Sequence, residues 1–155
     1  MNNVATNSII ETARKHVQRI EMAMTKLAPI FPLSAARVAV LTDDEIMCIE
    51  LLTARFTKLQ DHMGEKLFTA FFECVGESVP HLTVIDKLHK LERLQLIDEA
   101  EKWLEMRRLC NHLAHEYPED HDLTAQYLNQ IYVLTPDLLR YFYIISNKML
   151  SLATA

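Results

Sequence analysis

Ile49, Leu52, Phe56, Leu59, Met63, Leu67, Phe71 and Cys74 recur at three- and four-residue spacing along one stretch of the chain. That spacing gathers side chains on one face of an α-helix, whereas a strand would need strict alternation. The stretch therefore commits the chain to a long amphipathic helix, from a Thr42–Glu45 capping box to Gly76, with Gly64 as its weak point. Gly64 and Gly76 are the only glycines in 155 residues, and helix-forming Leu, Ala, Glu, Met, Lys and Arg abound. Hairpin turns are left short of their usual residues, and the fold class expected is all-α.

Other segments read the same way. Ser8-Ile9-Ile10-Glu11 has the form of a capping box before Ile9, Ala13, Val17, Ile20, Met24 and Leu27, a helix that Pro29 and Pro32 should stop. A short helix is expected within Leu82 to Ile97. A further capping box at Asp98 and Glu101 should open a fourth helix running toward Tyr117, with Pro118 ending it. The last apolar stretch, Leu123 to Leu152, should kink or restart at Thr135-Pro136, a pair suited to an N-cap and first helical position. The lengths and short connections predict residues 1–155 as a single domain, an antiparallel four- to five-helix up-and-down bundle.

Cys48, Cys74 and Cys110 are odd in number and lack C-x-x-C spacing, which argues against a disulfide framework or a zinc site and fits a reducing cytoplasm. "MNNVATNSIIETARK" has no basic segment leading into an apolar run, and no stretch approaches about 18 uninterrupted apolar residues. Neither secretion nor a membrane partner is expected. The formal charge of −5 repels polyanions, so nucleic acid would need a local basic patch.

Chemistry concentrates in "MRRLCNHLAHEYPEDH", residues 106–121. On a regular helix Arg108, Asn111 and His112 fall within about 60° of His115, with Trp103, Met106, Leu109, Cys110 and Leu113 on the opposite side. Imidazole moves protons near neutral pH and guanidinium stabilises charge on a pentacoordinate phosphate, so this face suits metal-free phosphodiester chemistry. The bland alternative is a solvated helix surface with His115 satisfying the helix end. A metal site built from His112, His115, Glu116, Asp120, His121 and Asp122 is the weaker reading: the motif is not H-E-x-x-H, and the arginines repel a cation. No metal and no cofactor is expected. Cys110, on the apolar stripe, reads as packing.

"EKWLEMRRLCNHLAHEYPED" resembles the W-x-x-x-R-x-x-R-N-x-x-A-H-x-Y-P signature of bacterial HEPN-domain proteins encoded beside minimal nucleotidyltransferases. "ARFTKLQDHMGEKLF" and "VIDKLHKLERLQLIDEAEKWLEMR" resemble the same family's second helix and its approach to the motif, so the likeness spans most of residues 50 to 120. The resemblance implies a HEPN-like bundle that forms a homodimer through the motif face. It also implies a toxin–antitoxin pair in which the chain is a metal-independent ribonuclease restrained by the nucleotidyltransferase. Carried over, His115 is the catalytic histidine, Asn111 its polar neighbour and Tyr117 the residue open to adenylylation. The family arginine directly before the Asn is Cys110 here, which leaves Arg108 and Arg107 as the candidate cations. The alternative is a non-catalytic subunit whose cleft, with His112, binds a nucleotide or docks the nucleotidyltransferase. A purely structural oligomer is the third class.

Overall fold

The computed structural model describes residues 3–113 and 120–155, and among them every regular element is helical. Helix α1 (Asn3–Leu27) buries Ile10, Ala13, Val17, Ile20, Ala23 and Leu27, the stripe its spacing demands. It begins ahead of Ser8, so the expected capping box there does not cap. Ser8 lies inside the helix, where its carbonyl accepts from the Thr12 hydroxyl at 2.9 Å, a local bond open to any mid-helix threonine.

The segment after α1 is pinned at a distance. Phe31-Pro32 is a cis peptide, and Phe31 stacks on Tyr132, ring centroids 4.2 Å apart. The Asn129 side chain brackets Leu33, accepting from its N–H at 2.7 Å and donating to its carbonyl at 2.8 Å. One turn of helix, α2 (Ala35–Val38), follows with Ser34 as N-cap. Helix α3 (Asp43–His62) opens on the Thr42–Glu45 capping box, both reciprocal bonds present. Glu45 is held further by Arg37 at 2.5 Å.

Helix α3 passes without a break in winding into a π-helical turn, Met63–Leu67, and then α4 (Phe68–Cys74). Gly64, the weak point in the sequence, lies in that turn. The long helix ends where Gly76, at φ +77°, takes the left-handed conformation that lets Glu77 N–H reach back to the Phe72 carbonyl at 2.9 Å.

Helix α5 (Val84–Arg93) is shorter than the apolar run around it because a Thr83–Asp86 capping box starts it and Gln95, at φ +59°, turns the chain out of it. Helix α6 (Ala100–Leu113) begins two residues after Asp98. The Asp98–Glu101 box does not form. The Glu92 carboxylate takes the Ala100 N–H at 2.8 Å, and Asp98 binds Arg140 through two oxygens at 2.9 and 2.5 Å. A tertiary guanidinium, which offers charge-assisted bonds, outcompetes a neutral local N–H. It holds the Asp98 carboxyl far below the usual carboxylate range.

Helix α7 (His121–Ala153) runs through Pro136 as one helix, which corrects the restart expected at Thr135-Pro136. Proline removes one N–H from the helical ladder. Beside it, the buried Thr135 hydroxyl donates to the Ile131 carbonyl at 2.6 Å, and packing on both sides of Pro136 (Ile131, Leu134, Leu138, Tyr141, Phe142) holds the two halves in one element.

The four longest elements form the bundle: α1 lies along α3 and touches α7, while α6 contacts both α3 and α7. Phe56, Phe68, Phe72, Tyr141 and Phe142 are the largest fully buried side chains and fill the space between them. No helix among the described residues is long and apolar enough to cross a membrane.

Candidate functional site

The α6 motif divides as its periodicity requires. Trp103, Met106, Leu109 and Cys110 are buried; Arg107, Arg108, Asn111 and His112 are exposed, and Leu113 is half-buried. The α-helix is regular through Leu113, so the polar face of Arg108, Asn111 and His112 is continuous. His115 and Tyr117 lie outside the described residues, as does the remainder of 114–119.

Arg108 and His112 on that face, and Arg107 beside it, each have a definite neighbour. Arg108 Nη2 donates to Glu101 Oε1 at 2.7 Å, with both side chains more than half exposed. Arg107 bonds Asp61 of α3. The two cations thus point in different directions, Arg108 back along its own helix and Arg107 across to a second one. Exposed pairs of this kind are worth about 0–1 kcal/mol, so an incoming phosphate can displace either carboxylate. The His112 ring stacks on Tyr127 of α7, centroids 4.9 Å apart and planes 10° from parallel, which joins the end of α6 to α7 through an aromatic ledge.

Cys110, at the place of the family arginine, is 4 % exposed. Burial pushes its thiol up, opposed in part by the Thr57 hydroxyl and by Arg107. A thiol protonated at neutral pH is a poor nucleophile. Among the described residues no three His, Cys, Asp or Glu side chains converge as metal ligands would.

A second polar cluster was not anticipated from sequence. Arg55 Nη1 lies 3.1 Å from His16 Nδ1. Arginine can only donate, so His16 Nδ1 is the acceptor and its ring is neutral, with the proton on Nε2. His62 Nε2 lies 2.8 Å from the Ile9 carbonyl and must carry a proton, since a carbonyl only accepts. The two rings meet edge to face at 6.4 Å. His16 is held below its ordinary value of 6.5 by burial, then by Arg55, His62 and Lys58. Histidines 46 positions apart in a chain carry no local signal of this meeting; only the α1–α3 contact makes it.

No family model, no curated protein and no solved structure matches this chain.

Proposed function

We propose that the protein is the HEPN-type component of a nucleotidyltransferase-linked toxin–antitoxin pair, a metal-independent endoribonuclease that works from the exposed face of α6 as a homodimer. The observation that carries the reading is the solvent-facing line of Arg108, Asn111 and His112, which leads directly into the segment bearing His115 and Tyr117. Arg108 releases Glu101 to bind the scissile phosphate. His115 takes the proton of the attacking ribose 2′-OH or gives one to the leaving oxygen, and Asn111 orients the substrate. Tyr117 is where the partner enzyme adds adenylate. The test is RNA cleavage by the purified chain in EDTA. Loss of cleavage in both His115→Ala and Arg108→Ala is expected, while undiminished cleavage by either variant refutes the assignment.

A specific observation favours a second reading, a non-catalytic subunit that binds a nucleotide or docks the nucleotidyltransferase. The motif position that carries arginine in the family is a buried thiol here, and both nearby arginines are engaged by carboxylates. Under that reading the chain cleaves no RNA at any concentration, yet co-purifies with the nucleotidyltransferase through the α6 face. His112→Asp and Arg108→Glu then release the partner.

A further inference from the structure

Where α3 passes into the π turn, a cleft of about 410 Å³ opens between that turn, α5 and α6, a volume within the usual range for small-ligand sites. Four features meet in it. The Gln60 amide nitrogen donates to the Trp103 carbonyl at 3.0 Å, which fixes the amide so that Oε1 faces the other way. That oxygen is buried and has no hydrogen-bond partner, an arrangement that is costly to leave unmet. Gly64 faces the rim of the largely buried Trp103 indole: a Cβ there would lie 3.6 Å from Trp103 Cζ2, in van der Waals contact. The π winding itself is a feature often kept at functional sites.

At the mouth stand Arg107, bonded to Asp61, and Lys87, whose ammonium donates to the Thr69 hydroxyl at 3.2 Å. Arg107 and Asp61 are 49 % and 39 % exposed, so the ion pair that ties the end of α3 to α6 is weak. An anion offered to Arg107 competes with Asp61 for the same fork of donors.

We propose that this cleft binds a small planar heterocycle that carries an N–H donor and an anionic substituent. The N–H pairs with Gln60 Oε1, the ring lies against the Trp103 edge and Leu104, and the anion takes Arg107 from Asp61 with Lys87 beside it. A neutral N–H suits the desolvated floor better than an ammonium, because burying a charge costs far more than burying a paired dipole. Nucleoside monophosphates and indole carboxylates share this chemistry. The inference is independent of the nuclease reading, since its readout is binding in the absence of RNA.

The full chain is titrated calorimetrically with guanosine 5′-monophosphate, indole-3-acetate and N-methylindole-3-acetate. Saturable binding of at least one of the first two is expected, and whichever binds identifies the source. Arg107→Gln should weaken that binding roughly tenfold, in line with the loss of one charge-assisted bond. Gly64→Ala should also weaken it while leaving the melting temperature equal or higher, which separates a blocked cleft from a damaged fold. If indole-3-acetate is the ligand, N-methylation should cost a similar factor. No saturable binding of either N–H ligand at millimolar concentration overturns the proposal, as does equal affinity for the N-methyl analogue or unchanged binding by both variants.

Discussion

Cys110→Arg, the substitution that would complete the motif the α6 segment resembles, is expected to destabilise the protein severely rather than activate it. Position 110 is 4 % exposed and sits in the core beside Leu109, Met106 and Trp103. Extra side-chain volume in a packed core costs about 1–3 kcal/mol. An uncompensated buried charge adds about 3–5 kcal/mol, and the nearest cation, Arg107, makes that charge less welcome. The sum is on the order of 4–8 kcal/mol, against a total stability of about 5–15 kcal/mol for a domain. Cys110→Ala serves as the control at about 1 kcal/mol. Urea unfolding followed by far-UV circular dichroism measures both. If Cys110→Arg lies within about 1 kcal/mol of the parent protein, residue 110 opens to solvent and the orientation of α6 argued above is wrong. Gain of RNA cleavage by a stable Cys110→Arg protein would be the more damaging outcome.

Acid should loosen the α1–α3 packing through His16. Its folded-state value lies below the ordinary 6.5, so the unfolded chain binds the proton first. The stability this contributes is complete above pH 6.5 and is lost as pH falls through the folded value. His16→Gln, which keeps an acceptor for Arg55, should flatten the decline in melting temperature below that pH; identical profiles for the two proteins would remove His16 as the cause. Asn129→Ala breaks both side-chain bonds to the Leu33 backbone and is expected to cost about 1–3 kcal/mol, measured by urea unfolding; no change would mean that water replaces the amide at no cost. Thr42→Ala removes the α3 cap and should cost about 1 kcal/mol, with Thr42→Ser restoring most of it in the same assay.

The helical class, the Thr42 cap, the stripe on α3 and the division of α6 into buried and exposed faces were all legible in the residues. Each depends on neighbours a few positions away, through a 3.6-residue repeat or a side chain closing on its own backbone. The same local logic misread Ser8, Asp98 and Pro136. Ser8-x-x-Glu11 satisfies the pattern of a cap, but the apolar face of α1 packs on α3 and carries the helix past it. Asp98 could have capped α6, yet Arg140, 42 positions away, offers its carboxylate stronger bonds. Pro136 could have restarted a helix, yet with buried residues on both sides the helix continues through it. The bracket of Asn129 on Leu33, the meeting of His16 with His62 and the cleft beneath Gly64 join segments distant in sequence and leave no periodic trace. Sequence alone determined which faces of the helices are apolar; only the tertiary structure decided which faces meet, because that choice depends on shape and charge summed over the whole bundle rather than on any one turn.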